Sequence, residues 1–151
     1  MINFKELLKQ KRAWYKTVGK VYCPILKHDV VFNSKGFYHL RYDTHEKQRL
    51  VKEQIYKFNL LPLVIPVIRN ATKIFEYKKQ QYSKPLGKYY EIWELREIMG
   101  EKSPTEVSVV LRRIGDGNIT FLSVYDRKIK RKLKKNQELK QKKTKKPLNK
   151  K

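Results

Sequence analysis

The fold is decided near the end of the chain, where residues 107–125 read VSVVLRRIGDGNITFLSVY. Two runs of alternating side chains flank Gly115-Asp116-Gly117, and an Asp-Gly pair between such runs is a strong signal for a β-hairpin. Because side chains alternate between the two faces of a strand, an even-length loop at Asp116-Gly117 sorts this hairpin into two faces and places Arg112 opposite Phe121. A three-residue loop would exchange the two faces. One face is expected to be apolar and to point to the core; it holds Val107, Val109, Leu111, Leu122 and Val124.

The opposite face of the hairpin is chemically different. It is expected to collect a cation, two hydroxyl groups and an aromatic ring, from Arg112, Phe121, Ser123 and Tyr125. Each of these residues is also common on an ordinary sheet face, and that interpretation stays open for each one alone. On a basic chain the set indicates a phosphate-binding surface, because arginine donates two hydrogen bonds to phosphate and aromatic rings stack on unpaired bases.

Upstream of the hairpin, the chain predicts helices first and strands second. Residues 3–18 predict an amphipathic helix with Asn3 as its N-cap, and residues 44–60 predict a longer helix. Short strands are predicted at 29–32, 74–77 and 89–95, a helical turn at 36–40, and an interior segment at 60–68 that Pro62 and Pro66 interrupt. The predicted fold class is α+β, with N-terminal helices packed on a small antiparallel sheet of about four strands.

The charge of the chain is strongly positive and unevenly distributed. The 151 residues hold 37 Lys and Arg against 14 Asp and Glu, a formal net charge of +23. Residues 127–151 hold 14 basic residues and one acid, or +13, which leaves +10 for residues 1–126. We expect one domain over 1–126, followed by a Lys-rich tail over 127–151 that is disordered or helical. A domain this basic favours a polyanionic partner.

The composition argues against several classes of protein. A single cysteine, Cys23, excludes an intramolecular disulfide, and the three scattered histidines lack metal-ligand spacing. No apolar run approaches the ~18 residues of a membrane span, and the N-terminus lacks the hydrophobic region of a signal peptide. We therefore expect a cytoplasmic protein with no membrane association, no metal and no cofactor.

His39 is the best candidate for acid–base chemistry. It lies in a predicted helical turn, and an ordinary histidine pKa near ~6.5 lets the imidazole exchange protons around neutral pH. The alternative for any lone histidine is a residue at the core boundary, bonded to backbone. No Ser-His-Asp, HExxH or phosphate-binding glycine loop accompanies it. Glu91, Glu94 and Glu97 do not share one face of a strand, which disfavours a two-metal nuclease.

A Cys-Pro start at Cys23-Pro24 and four segments, taken in order, resemble those of the phage-associated barnase–EndoU–colicin–RelE-like (BECR fold) nucleases. The four segments read HDVVFNSKGFYHLRY at 28–42, EKQRLVKEQIYKFNLLPLV at 46–64, YYEIWEL at 89–95, and the hairpin quoted above. The resemblance covers residues 22–126 and leaves the helix at 3–18 and the basic tail outside it. It implies N-terminal helices on a small antiparallel sheet whose open face carries the active site. Members are metal-independent ribonucleases, often toxins or mobile-element effectors.

The resemblance also implies roles for individual residues. His39 matches the helical histidine of the family, Arg112 or Arg113 its sheet arginine, Ser123 the hydroxyl of the last strand, and Arg49 an arginine of the second helix. We expect His39, Arg112, Ser123 and Arg49 to be catalytic. We expect the substrate contacts to be Arg41, Arg113, Phe121 and Tyr125. The ribose 2′-OH would attack the adjacent phosphodiester and give a 2′,3′-cyclic phosphate.

RNA is therefore the expected partner, as tRNA, mRNA or rRNA, and a toxin of this kind is expected to have an acidic immunity or antitoxin protein. A different class is a non-catalytic basic RNA- or ribosome-binding protein, since phosphate contacts alone give sequence-independent affinity. An accessory protein on a membrane surface or on DNA is a third, less supported class. An enzyme requires His39, Arg112 and Ser123 to converge on one cleft, whereas a binding protein does not.

Overall fold

The computed structural model describes residues 3–128 of the chain. Within this range the helices are α1 (Phe4–Val18), α2 (Ser34–Arg41) and α3 (Val51–Asn70). The strands are β1 (Lys20–Cys23), β2 (His28–Val31), β3 (Ile74–Ser83), β4 (Lys88–Met99), β5 (Thr105–Ile114) and β6 (Ile119–Lys128). These strands form one sheet in the order β1-β2-β6-β5-β4-β3. Helix α3 packs across β1, β4, β5 and β6.

The sheet differs from the predicted one in size and pairing, so the predicted fold class, α+β with a small antiparallel sheet of about four strands, is wrong. The observed sheet has six strands and is mixed, because β2 runs parallel to β6 through the pairs Val30–Ile119 and Val31–Thr120. The strand that the sequence did not predict is β1, which pairs antiparallel with β2. Four residues are too few for an alternating pattern to stand out, and a parallel neighbour far along the chain leaves no local signal.

Helix α1 confirms the helix predicted for residues 3–18. The Asn3 side chain accepts a hydrogen bond from the Glu6 backbone N–H at 2.8 Å, and Gly19 ends the helix with a φ of 66°. Its buried Tyr15 contacts the rings of Phe32, Phe37 and Phe121, and Phe37 stacks on Phe58 of α3. The three helices and β6 therefore share one core.

Helix α3 begins later than predicted and is longer. It spans Val51–Asn70 and contains both prolines, where the sequence predicted a helix over 44–60 and a break beyond it. Pro62 and Pro66 are four residues apart, so they share one side of the helix, and both are at least partly exposed. The buried side is continuous, through Phe58, Leu61, Val64 and Ile68. Burial of this stripe outweighs the cost of each interior proline, about 3 kcal/mol.

A β-bulge in the β5–β6 hairpin changes which residues of β6 face the core. The register passes from Val110–Ser123 to Leu111–Phe121, so Leu122 is an extra residue in β6. An extra residue reverses the alternation on one side of it. Phe121 therefore lies on the core face with Leu111 and is only 1% exposed, so its predicted place on the opposite face is wrong.

No helix within residues 3–128 combines the length and the apolar character needed to cross a bilayer. The predicted basic tail starts inside β6, which includes Arg127 and Lys128. Residues 129–151, the remainder of that tail, lie outside the described residues.

Candidate functional site

Helix α2 presents three chemically different sides. Gly36, Phe37 and Leu40 are buried in the core. Lys35 and His39 are four residues apart and share a second side, because residues at this spacing are neighbours on a helix surface. Ser34, Tyr38 and Arg41, at spacings of four and three residues, share the third side.

Gly36 lets α2 lie directly against β6. A Cβ at this position would meet the Phe121 backbone oxygen at 2.6 Å and would collide with the Tyr15 hydroxyl. The backbone oxygen cannot turn aside as a side chain can, so the close approach requires glycine. Strand β2 pairs with β6 only through Ile119 and Thr120. In the described part of the chain no other strand pairs with the rest of that edge of β6, and this leaves room for helix α2 beside it. His39 follows one turn later.

His39 is half-buried among positive charges. Its pKa is held below the ordinary value, first by desolvation and then by the charges of Arg112, Lys35 and Arg49. Residues from β5, from α2 and from the loop before α3 therefore act on one imidazole. Its Nε2 is buried and has no hydrogen-bond partner among residues 3–128. A lowered pKa keeps the imidazole neutral at neutral pH, which is the form that accepts a proton.

Arg112 is a half-buried cation that no carboxylate within the described residues neutralises. Its Nε is buried without a hydrogen-bond partner, and none of the ion pairs within residues 3–128 includes it. Desolvation lowers its pKa, while the charge of Tyr90 acts in the opposite direction. Arg112 and Lys35 line a cavity of about 300 Å³ together with Asn33, Thr120 and Leu122. Because a desolvated charge is costly unless it is paired, this cavity suits an anion.

A hydrogen-bond network around Gln54 holds the segment between α2 and α3. Gln54 is fully buried; its Oε1 accepts from Arg41 Nε at 3.0 Å, and its Nε2 donates to the Arg49 carbonyl oxygen at 2.8 Å. Arg49 Nε in turn donates to the His39 carbonyl oxygen at 3.1 Å. Arg49 is thereby held at the histidine. Arg41 lies on a different side of α2, with its guanidinium carbon 5.5 Å from the centroid of the Tyr42 ring.

Ser123 and Lys57 lie along the free edge of β6. Ser123 is opposite Val110 and shares a sheet face with Arg112, because Val110 and Arg112 are two residues apart on β5. The Lys57 ammonium of α3 donates to the Val124 carbonyl oxygen at 2.7 Å. Desolvation and the charge of Arg49 lower the Lys57 pKa to about 8, against the opposing charge of Glu53. We name Lys35, His39, Arg49, Lys57 and Arg112 the cationic cluster.

Three of the predicted substrate contacts, Arg41, Arg113 and Tyr125, bond to groups outside the cationic cluster, and the fourth, Phe121, is buried. Arg113 donates from Nε to the Gly117 carbonyl oxygen at 2.9 Å, at the hairpin loop. Phe121 is buried and stacks on Phe32 at 5.2 Å between ring centroids, so it cannot stack on a base. The Tyr125 hydroxyl donates to Glu94 Oε2 at 2.6 Å, and the same oxygen accepts from Arg96.

Sequence reasoning missed three residues of this region, Lys35, Lys57 and Thr120. Lys35 precedes His39 by four residues, a spacing that identifies it once the helix is recognised. Thr120 is opposite Arg112, and its hydroxyl donates to the Arg112 carbonyl oxygen at 3.2 Å; the predicted register, which lacked the bulge, put Phe121 there. Lys57 gave no signal, because its contact with β6 depends on tertiary packing.

Metal ligands and known relatives give no further guidance to the chemistry. Within residues 3–128, no group of three or more His, Cys, Asp or Glu side chains is arranged to hold a metal ion. Comparisons with models of protein families, with curated proteins and with solved structures found no match. The likeness to the BECR nucleases therefore rests on the sequence segments quoted above.

Proposed function

We propose that the protein is a metal-independent endoribonuclease that cleaves RNA at the cationic cluster. The proposal is carried by one observation. An imidazole with a lowered pKa stands among Lys35, Arg49 and Arg112, and no carboxylate within residues 3–128 forms an ion pair with these three cations. Such a set can bind a phosphodiester and keep a neutral base beside it.

The proposed reaction uses the nucleophile that RNA itself carries, the ribose 2′-OH. His39 takes the proton of this hydroxyl while its oxygen bonds to phosphorus. The bond from phosphorus to the 5′-oxygen breaks, and that oxygen takes a proton from water. The hydroxide that remains takes the proton from His39, which restores water and the neutral imidazole. The products are a 2′,3′-cyclic phosphate and a 5′-hydroxyl. General base catalysis of this kind typically contributes about 10²–10⁴-fold.

The remaining residues of the proposed site stabilise charge. Arg112 donates to the phosphoryl oxygens, on which negative charge develops in the transition state. Ser123 lies on the same sheet face and supplies a further hydroxyl donor. Arg49 is held at His39 through its Nε and adds positive charge. Loss of one donor of this type commonly reduces the rate by ~10²–10³-fold.

Incubation of the full chain with total RNA in EDTA tests the proposal. We expect fragments that end in a 2′,3′-cyclic phosphate, and we expect His39→Gln to abolish them. His45→Gln is the matched control, because His45 is exposed on the loop between α2 and α3 and does not belong to the cationic cluster. Cleavage that requires added Mg²⁺, or equal cleavage by His39→Gln and the wild type, would contradict the proposal.

A second candidate function is a basic RNA- or ribosome-binding protein that does not cleave. It is favoured by the burial of His39 Nε2, because a substrate cannot reach this atom unless a neighbouring side chain moves. In that case the cationic cluster binds phosphate only. RNA affinity would fall steeply as salt rises, and the RNA ends would stay unchanged in the EDTA incubation.

The proposed activity also implies partners and a setting. The substrate would be tRNA, mRNA or rRNA in the cytoplasm. A toxin or mobile-element effector that cuts cellular RNA needs an inhibitor in the cell that makes it. The net charge of +23 suits an acidic immunity or antitoxin protein that covers the cationic cluster.

A further inference from the structure

A second cavity lies on the other side of α2 from His39, between α1 and α2. It has a volume of about 380 Å³, within the range of small-molecule pockets. Its walls are mainly aromatic and its rim is cationic; the residues that matter are Arg12, Tyr15, Lys16, Tyr38, Arg41 and Tyr42. None of its three cations forms an ion pair within residues 3–128. We name it the α1–α2 pocket.

The walls of the α1–α2 pocket are built from planar groups that stack on one another. The rings of Tyr38 and Tyr42 stack at 4.5 Å between centroids and 12° between planes. The guanidinium of Arg41 lies over Tyr42, and that of Arg12 lies over Phe37 at 5.3 Å from the ring centroid. Aromatic rings and guanidinium planes are the side-chain groups on which unpaired RNA bases stack.

The two helices bring different charges to the pocket. Partial desolvation and then the charges of Glu46, Tyr42 and Asp43 raise the pKa of Tyr38, so the Tyr38 hydroxyl on α2 is under the influence of negative charges. Arg12 and Lys16 belong to the other helix that lines the pocket, one turn apart on α1, and neither forms an ion pair within residues 3–128. A ligand with an apolar plane and one negative charge would therefore place its charge at α1.

We propose that the α1–α2 pocket binds one unpaired base of an RNA strand, with the adjoining phosphate at Arg12 and Lys16. This inference rests on the proposed ribonuclease function and adds a base-binding subsite to it. The pocket and His39 lie on two sides of a single helix, whose diameter is about 10 Å, so one strand can occupy both. A stacking pocket of this kind accepts every base, because each base has a flat aromatic face.

The test uses a single-stranded 2′-O-methyl oligonucleotide that contains 2-aminopurine, whose fluorescence falls when the base stacks. The blocked 2′-oxygen prevents cleavage, so the measurement does not depend on the nuclease activity. We expect quenching with the wild type and the loss of quenching in Tyr38→Ala and Tyr42→Ala, with a Kd at least about fivefold higher. Tyr22→Ala is the matched control, because Tyr22 is exposed on β1, and it should behave as the wild type.

Two further measurements keep the result decisive. Arg12→Gln changes an exposed side chain of α1 and should weaken binding and reduce its salt dependence, even if a tyrosine variant folds poorly. An oligonucleotide with abasic positions should bind at least about fivefold more weakly than the intact one. Full quenching by both tyrosine variants, or equal affinity for the abasic strand, would overturn the inference. If His39→Gln stops cleavage but still quenches the fluorescence, base binding in the α1–α2 pocket does not depend on the catalytic role of His39.

Discussion

Replacing Arg112 by methionine is expected to make the protein more stable and inactive. Arg112 Nε is buried without a hydrogen-bond partner, and no carboxylate within residues 3–128 pairs with the guanidinium. Methionine retains the length and most of the apolar volume of the arginine stem. It removes the unsatisfied donor and the charge that acts on His39. A residue whose charge binds a ligand at a cost to the stability of the fold is expected to respond to replacement in this way.

The size of the gain follows from the buried donor. A buried polar group without a partner costs about 1–3 kcal/mol. Arg112 is only half-buried, so we expect the lower part of that range, a gain of about 1–2 kcal/mol in the free energy of unfolding. For a domain of this size that corresponds to about 4–8 °C in Tm. Cleavage should fall by at least ~10²-fold, as for the loss of a charge-stabilising donor.

Arg113→Met is the matched control, because Arg113 is the neighbouring arginine and its Nε has a partner in the Gly117 carbonyl oxygen at 2.9 Å. This variant should lose about 0.5–1.5 kcal/mol, the usual net value of one hydrogen bond. Urea unfolding and RNA cleavage in EDTA measure both effects. If Arg112→Met unfolds at lower urea than the wild type, Arg112 has a structural role. If it cleaves RNA at the wild-type rate, Arg112 is outside the active site.

The other predictions concern the residues that position His39. Gly36→Ala should lower the free energy of unfolding by at least ~2 kcal/mol and abolish cleavage, because the new Cβ would lie 2.6 Å from the Phe121 backbone oxygen. A variant as stable as the wild type would mean that α2 can shift to make room for the methyl group. Gln54→Leu should cost about 1–3 kcal/mol, because it leaves Arg41 Nε and the Arg49 carbonyl oxygen without a partner; a smaller loss in urea unfolding would contradict the network. His39 has a folded-state pKa below the ~6.5 of an unfolded chain, so its contribution to stability is present above pH ~6.5 and is lost as pH falls below it. The stability of His39→Gln should not show this loss at low pH. If the urea midpoints of the wild type and of His39→Gln change in parallel with pH, His39 is protonated in the folded protein without a cost in stability.

The parts of the fold that could be predicted are those with local signals. Helix α1 has an N-cap, an amphipathic stripe and a terminal glycine within the seventeen residues 3–19, and the Asp116-Gly117 turn identifies β5 and β6. The β2–β6 pairing depends on contacts far apart in the chain, which periodicity cannot detect. Pro62 and Pro66 predict a break in the helix, because proline disfavours a helix interior. The burial of the apolar stripe around Leu61 outweighs this local preference, and α3 continues through both prolines.

The candidate site shows the same division between local and tertiary signals. His39 was singled out by its residue type and by a sequence resemblance. The bulge at Leu122 could not be read from an alternating pattern, and a shift of one residue there exchanged Phe121 for Thr120 opposite Arg112. The hydrogen bond from Lys57 to the Val124 carbonyl oxygen joins a helix to a strand edge, and no residue spacing in the sequence predicts it.

The charges that lower the His39 pKa also determine which proton transfer the residue suits. In the free protein, Arg112, Lys35 and Arg49 disfavour the imidazolium, so the ring is ready to accept a proton. A bound phosphodiester adds a negative charge to the same place, and a nearby anion raises the pKa of a histidine. Substrate binding and proton uptake by His39 therefore favour each other, and the coupling is reciprocal. A carboxylate paired with Arg112 would weaken this coupling, because it would neutralise the charge before RNA arrives, and no such pair exists within residues 3–128.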